Sequence, residues 1–149
     1  MTIDELCRRH RRIALDANVF VYLFEGEGDL SDVAVSLLDA ISDGRTSGLA
    51  ATIALSEVIV GPVRAHEETT AERYVDAIRS IEHLDVVPAT AEIAADAGFI
   101  RGRSGLTLAD ALHVATARAA GASVLVTNDR RLRSMPKLAV VQLADLAAG

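Results

Sequence analysis

The sequence predicts an α/β fold, specifically a three-layer α/β/α sandwich with a central parallel sheet of four to five strands. Short apolar runs of strand length alternate with longer segments of helical periodicity along the whole chain. Strands that are separated by helices need crossover connections, so the sheet is expected to be parallel and covered on both faces. Half of the 149 residues are hydrophobic, which is enough for a substantial core.

The first part of the chain predicts two strands with helices between them. Residues 13–15 are apolar and form the first strand, and the apolar segment 19–24 begins a helix. Apolar residues spaced by three and four over 30–41 predict a second helix, which an Asp-Gly pair ends. A short second strand is expected over 47–50.

The middle of the chain predicts two helices and a third strand. A helix capped by Thr52 is expected to run to about Val60, where a Gly-Pro pair breaks or kinks it. Over residues 67–82 the apolar side chains recur at helical spacing on one face and the polar side chains cover the other, which indicates a helix lying on the protein surface. Residues 84–87 are expected to form the third strand.

The last part of the chain repeats the alternation of helix and strand. Thr90 is expected to cap a helix that runs through Ile100, and Thr107 to open a helix over 108–120, with a loop over 101–105 between them. Apolar runs predict a fourth strand over 123–126 and a fifth over 138–141, followed by a short helix.

The length fits one domain, so residues 1–149 are expected to form a single unit. Residues 1–12 precede the first predicted strand and are interpreted as an N-terminal extension. Within that extension, Thr2 and Glu5 have the spacing of a helix capping box.

The composition excludes several kinds of protein. Aromatic residues make up 3% and tryptophan is absent, so a surface of stacked bases is not expected. The apolar runs are too short to span a bilayer, no secretory signal is visible, and the single Cys7 suits a reducing cytoplasm. A net charge of −6 argues against a broad basic surface for nucleic acid, although not against a local one.

Four carboxylates stand out because each is the only charge in an otherwise uncharged stretch: Asp16, Glu57, Asp110 and Asp129. Asp16 and Asp129 follow predicted strands, at the sheet edge where open α/β folds bind ligands. None has a basic neighbour in its own stretch, and a buried carboxylate is costly unless it is paired or binds metal. The four acids are therefore expected to converge on Mg²⁺ or Mn²⁺. Without the metal they should repel one another, so at least one of them is expected to have a raised pKa.

Three of these acids also have an ordinary structural interpretation. Asp110 and Thr107 form a T-x-x-D capping pattern, Asp16 can cap the helix after the first strand, and Asp129 suits a turn. Glu57 has no such explanation, because it lies in the middle of a helix, on what is expected to be its apolar side.

Further polar residues lie beside the acids in the sequence. Asn18 and Thr127 are expected to orient carboxylates or water around the site. His113 follows Asp110 by one helical turn and is interpreted as a structural or a rim histidine, without a catalytic role.

The segments ALDANVF, LSEV, LTLADALHVATA and VTNDRRL, in this order, resemble the PIN-domain family, and more narrowly the VapC-type toxins of bacterial toxin–antitoxin pairs. The resemblance runs from about Ile13 to Leu143. It implies an α/β/α sandwich, a Mg²⁺- or Mn²⁺-dependent ribonuclease, a homodimer and a small antitoxin partner. Carried over by position, the family's four acids fall on Asp16, Glu57, Asp110 and Asp129, and its accompanying polar residues on Asn18 and Thr127. Such toxins commonly begin almost at the first strand, which residues 1–12 precede here.

An acidic site needs local positive charge to hold RNA. Arg130 and Arg131 follow the last acid directly, and Arg101 and Arg103 precede the helix of the third acid. These side chains could contact flanking phosphates, or they could simply form a solvated surface.

Two other functions remain open from the sequence. A phosphoaspartyl-type phosphatase or receiver domain could use Asp16, but it needs a lysine near the carboxyl end of a later strand. Lys137 is the only lysine and precedes its strand, and a dehalogenase-like site would have Asp where Asn18 stands. A non-catalytic RNA-binding module is disfavoured because the acids would repel RNA in the absence of metal.

Overall fold

The computed structural model describes residues 1–148, which form a five-stranded sheet in the order β3-β2-β1-β4-β5. All neighbouring strands are parallel, so the predicted α/β class and parallel sheet are confirmed. The strands are β1 (Arg12–Leu15), β2 (Ser47–Ala51), β3 (Leu84–Val87), β4 (Val124–Thr127) and β5 (Ala139–Gln142).

Helices cover both faces of the sheet and complete the three predicted layers. Because side chains alternate along a strand, Ile13 and Leu15 face a core shared with α1, α2 and α3, whereas Ala14 faces α7. α6 packs on the outside of α7. The helices are α1 (Ile3–Arg9), α2 (Ala17–Glu25), α3 (Asp29–Ser42), α4 (Ile53–Arg64), α5 (Glu68–Ser80), α6 (Ala91–Ser104) and α7 (Leu108–Ala119), with a short 3₁₀ helix over Leu143–Asp145.

Two predicted helix ends are wrong. α6 continues through the predicted loop to Ser104, and it ends at Gly105, whose φ of 73° is the left-handed conformation typical of a helix terminus. α4 continues past its Gly-Pro pair to Arg64. Pro62 is buried and lies in the last turn of α4. Only two helical residues follow it, so the hydrogen bond that its missing N–H cannot make has little effect on the length of the helix. Thr52 precedes α4 but makes no capping hydrogen bond through its side chain.

The residues before β1 form α1 and contribute to the core. Thr2 and Glu5 make the predicted capping box, with hydrogen bonds of 2.9 Å and 3.2 Å. Ile3 and Leu6 are fully buried, and the backbone N–H of Ile3 donates to the carbonyl of Ala147 at 3.1 Å. The segment predicted as an extension therefore packs on the sheet and on the C-terminal residues.

The topology brings the ends of β1 and β4 together. These strands are neighbours, with Leu15 opposite Val126, and the N–H of Asp16 donates to the carbonyl of Val126 at 2.9 Å. Asp16, which follows β1, and Thr127, the last residue of β4, are consequently adjacent at the carboxyl edge of the sheet.

Removing the Leu6 side chain tests whether α1 is part of the core. Leu6→Ala should lower the free energy of unfolding by about 2–5 kcal/mol, because it leaves a cavity between α1 and the sheet. The measurement is urea unfolding followed by circular dichroism. Arg9→Ala on the exposed face of the same helix is the control and should change stability by less than about 0.5 kcal/mol. Equal effects of the two substitutions would contradict this packing.

Candidate functional site

Asp16 is the most strongly constrained acid at the carboxyl edge of the sheet. It is 5% exposed and precedes the first residue of α2. Its Oδ1 accepts a hydrogen bond from the N–H of Ala17 at 2.7 Å, and its Oδ2 accepts from Thr127 Oγ1 at 2.7 Å and from Asn18 Nδ2 at 3.3 Å. The capping interaction thus occupies one oxygen, while two side chains hold the other.

Thr127 and Asn18 connect the ends of the two strands. Thr127 is fully buried, and its hydroxyl accepts from Asn18 Nδ2 at 3.2 Å and from the N–H of Asp129 at 3.0 Å. Asn18 Oδ1 accepts from the N–H of Asn128 at 3.1 Å. The structure therefore places both polar residues where they orient Asp16 and the backbone that carries Asp129.

His113 lies between two of the acids and is buried, so it is not at the rim of the site. Its Nε2 is 2.6 Å from Glu57 Oε1 and 3.3 Å from Asp16 Oδ1, and its side chain is 1% exposed. One ligand atom from each of the three residues lies within 4.8 Å of the other two, close enough to bind one metal ion. The sequence signal was the spacing of three from Asp110, which puts both residues on one helix face.

The electrostatic surroundings of His113 act in opposite directions. Burial alone lowers its pKa, but the hydrogen bond to Glu57 and the negative charges of Asp16, Glu57 and Asp110 outweigh it, so the pKa of His113 is raised. Because Nε2 faces two carboxylate oxygens, it carries a proton in this arrangement. Nδ1 is buried and has no hydrogen-bond partner among residues 1–148.

Glu57 reaches the site from α4 but remains partly open to solvent. Its side chain is 37% exposed, so the expectation that it lies on the apolar side of its helix is wrong. The apolar side of α4 is formed instead by Ala54, Val58 and Pro62. Glu57 therefore marks the side on which a molecule from solution could approach Asp16.

Asp110 is 8% exposed, at the first turn of α7. The cap of this helix is Thr107, whose Oγ1 accepts from the N–H of Asp110 at 3.2 Å, so the carboxylate itself is not needed for capping. Burial raises the pKa of Asp110, and the charges of Asp16 and Asp129 raise it further, against a smaller lowering by Thr107 and Arg131. The raised pKa of Asp110 agrees with the expectation from the sequence that at least one of the four acids has a raised pKa.

Asp129 is paired with Arg131, two residues further along the chain. Arg131 Nε donates to both oxygens of Asp129 at 3.0 Å, Nη2 donates to Oδ2, and the backbone N–H donates to Oδ1 at 2.9 Å. This hydrogen bonding lowers the pKa of Asp129. Nη2 of Arg131 is also 3.9 Å from Asp110 Oδ2. Asp129 therefore has a basic partner that lies just beyond its own uncharged stretch of sequence.

The other three arginines proposed for RNA lie on the surface. Arg130 has a side chain that is 74% exposed, with Nη2 3.9 Å from Asp145 Oδ1. Arg101 and Arg103 are exposed in the last turn of α6, and the guanidinium of Arg103 lies 5.4 Å from the centre of the Phe99 ring.

The position of Lys137 bears on the phosphoaspartyl alternative. Lys137 is exposed and precedes β5, at the amino edge of the parallel sheet. Asp16 follows β1 at the opposite, carboxyl edge. This placement gives Asp16 no lysine partner.

Comparison with known families and structures identifies a common fold. The sequence profile of the PIN domain matches residues 13–138. A search of curated proteins finds no significant match.

None of the helices formed by residues 1–148 has the length and apolar character that a membrane crossing requires.

Three solved structures show the extent of the similarity in fold. VapBC2 of Rickettsia felis, bound to a promoter DNA fragment, is 21% identical with a TM-score of 0.68, over 88% of this chain and 98% of that chain. FitAcB of Neisseria gonorrhoeae is 20% identical with a TM-score of 0.68, over 90% and 99%. VapC20 of Mycobacterium tuberculosis, a toxin that cleaves the sarcin-ricin loop, is 18% identical with a TM-score of 0.61, over 76% and 86%.

The raised pKa of His113 predicts how stability depends on pH. A histidine with a raised pKa stabilises the fold below the unfolded pKa, and this contribution is lost as pH rises through the folded pKa. In metal-free buffer, the difference in unfolding free energy between wild type and His113→Gln should therefore be larger at about pH 6 than at about pH 9. Urea unfolding at both pH values is the measurement.

His10 provides a control of opposite sign. Burial and the neighbouring Arg9 lower the pKa of His10, so the difference between wild type and His10→Gln should grow as pH rises. The same pH trend for both variants would contradict the described surroundings of His113.

Proposed function

Because the chain belongs to the PIN-domain family, we propose that it is a metal-dependent endoribonuclease and the toxin of a toxin–antitoxin pair. The observation that carries this proposal is the arrangement around Asp16. A buried carboxylate at the end of a central strand lies beside Glu57 and His113, with one ligand atom of each within 4.8 Å of the others. A helix cap alone would not require Glu57 and His113 to converge on the same carboxylate.

The residues present fit a hard divalent cation. Asp16 and Glu57 supply the carboxylate oxygens that Mg²⁺ and Mn²⁺ prefer, and we propose them as the principal ligands. Asp110 and Asp129 are the further candidate ligands, either directly or through water. When bound, such an ion lowers the pKa of a water molecule and neutralises negative charge on the phosphate.

The chain's own polar groups would position this site. Thr127 and Asn18 hold Oδ2 of Asp16, while Oδ1 accepts from the N–H of Ala17 and lies 3.3 Å from His113 Nε2. His113 restrains the exposed Glu57 side chain through a 2.6 Å hydrogen bond. This restraint reduces the conformational freedom that Glu57 would otherwise lose on binding a ligand.

The substrate would enter on the open side of the site, where Glu57 meets solvent. A water molecule attacking phosphorus in line with the 3′-oxygen breaks the P–O3′ bond, and the 3′-oxygen takes up a proton. The products are then a 5′-phosphate and a 3′-hydroxyl. Three exposed arginines are candidates for contacts with flanking phosphates, and they are Arg101, Arg103 and Arg130.

We propose that the partners are a small antitoxin protein and a second copy of this chain. The support is similarity in fold to VapBC2 and to FitAcB, and to a toxin–antitoxin complex from Klebsiella pneumoniae. An anionic site favours a partner that brings arginine side chains to it. A small gene directly upstream, encoding a DNA-binding fold with an arginine-rich tail, would support this part of the proposal.

Replacing Asp16 tests the proposed activity. Asp16→Asn should reduce RNA cleavage at least about 100-fold, because it removes the charge that all the surrounding donors hold in place. Cleavage by the wild type should require Mg²⁺ or Mn²⁺ and should stop in excess EDTA. The measurement is incubation with total cellular RNA, followed by mapping of the fragment ends.

Asp43→Asn is the matched control, because Asp43 is an exposed acid after α3, outside this site. It should cleave RNA like the wild type. Full wild-type activity in EDTA, or equal activity of the two variants, would contradict the proposal.

A further inference from the structure

We propose that Arg131 takes the place of a second metal ion, so that this site works with a single cation held at Asp16 and Glu57. The inference rests on the proposed function and specifies its metal stoichiometry. Four carboxylates could in principle hold two divalent ions. In this chain the four divide into two pairs, Asp16 with Glu57 and Asp110 with Asp129.

The first group surrounds one point. Asp16, Glu57 and His113 each bring a ligand atom within 4.8 Å of the others, and among residues 1–148 this is the group of three or more that does so. Asp110 and Asp129 lie outside it. A cation at Asp16 and Glu57 therefore does not depend on Asp129.

The second group already contains a cation. The guanidinium and backbone N–H of Arg131 together make four hydrogen bonds to Asp129, two to each oxygen. A metal ion at Asp129 would have to displace this bidentate pair. Because arginine remains protonated at any physiological pH, the positive charge is permanent.

The pairing is local, which makes it more persistent than an ordinary surface ion pair. Arg131 has a side chain that is 71% exposed, and exposed pairs are usually weak because they immobilise two long side chains. Here the partners are two residues apart, and the backbone N–H of Arg131 fixes the same carboxylate at 2.9 Å. Little additional ordering is therefore needed to hold the pair.

Arg131 also extends toward the second acid of this group. Its Nη2 is 3.9 Å from Asp110 Oδ2, so one guanidinium lies between two carboxylates. The positive charge of Arg131 therefore acts on both acids. Asp110 is 8% exposed and cannot move far from the guanidinium without repacking the start of α7.

Counting bound Mn²⁺ tests the inference. Purified, EDTA-treated full-length protein is titrated with Mn²⁺ alone, and free Mn²⁺ is followed by electron paramagnetic resonance, with isothermal calorimetry in parallel. The wild type should bind one Mn²⁺ per chain. Arg131→Ala and Arg131→Gln should each bind two, because Asp129 and Asp110 are released. Two replacements are measured so that misfolding of one, checked by circular dichroism, does not end the test.

Two controls locate the second ion. Arg133→Ala removes the same charge from an exposed neighbour and should bind one Mn²⁺, like the wild type. The double variant Arg131→Ala/Asp129→Asn should return from two ions to one. Binding of two ions by the wild type, or of one ion by both Arg131 variants, would overturn this inference and leave the proposed function standing. Binding of no Mn²⁺ by the wild type would overturn both.

Discussion

The buried carboxylate of Asp16 is the constraint on which the rest of this site depends. A charge that is 5% exposed is stable only if hydrogen bonds replace its lost water. Those hydrogen bonds come from the start of α2 and the end of β4, and His113 on α7 lies 3.3 Å from the same carboxylate. The site therefore forms only if β1 pairs with β4 and α7 packs on the sheet, because these contacts bring Thr127 and His113 next to Asp16.

Nitrogen donors lie on both sides of the site and face its carboxylates. His113 is almost completely buried and lies between Asp16 and Glu57, whereas Arg131 is largely exposed and lies between Asp129 and Asp110. This arrangement reduces the repulsion among four neighbouring acids, which would otherwise destabilise the folded chain. It also lowers the negative potential that a phosphate of the proposed RNA substrate would meet.

The strands, and the position of Asp16 at the carboxyl edge of the sheet, could be predicted because their signals are local. Apolar runs mark the strands, and each acid is conspicuous as the single charge in its stretch. The contact between Glu57 and His113 could not be predicted in this way, because it joins α4 to α7 across 56 positions of sequence. The burial of Leu6 depends likewise on a tertiary contact with the sheet that no local pattern shows.

Thermal unfolding of the wild type and of Asp16→Asn, each with and without Mn²⁺, distinguishes a metal centre from a set of helix caps. An ion that binds only the folded state stabilises it by about 2.7 kcal/mol at about 100 times its dissociation constant. The wild type should therefore melt at a higher temperature with Mn²⁺ than without it. Asp16→Asn should lose most of that shift. An unchanged melting temperature of the wild type in saturating Mn²⁺, or equal shifts in both proteins, would show that Asp16 is not part of a metal centre.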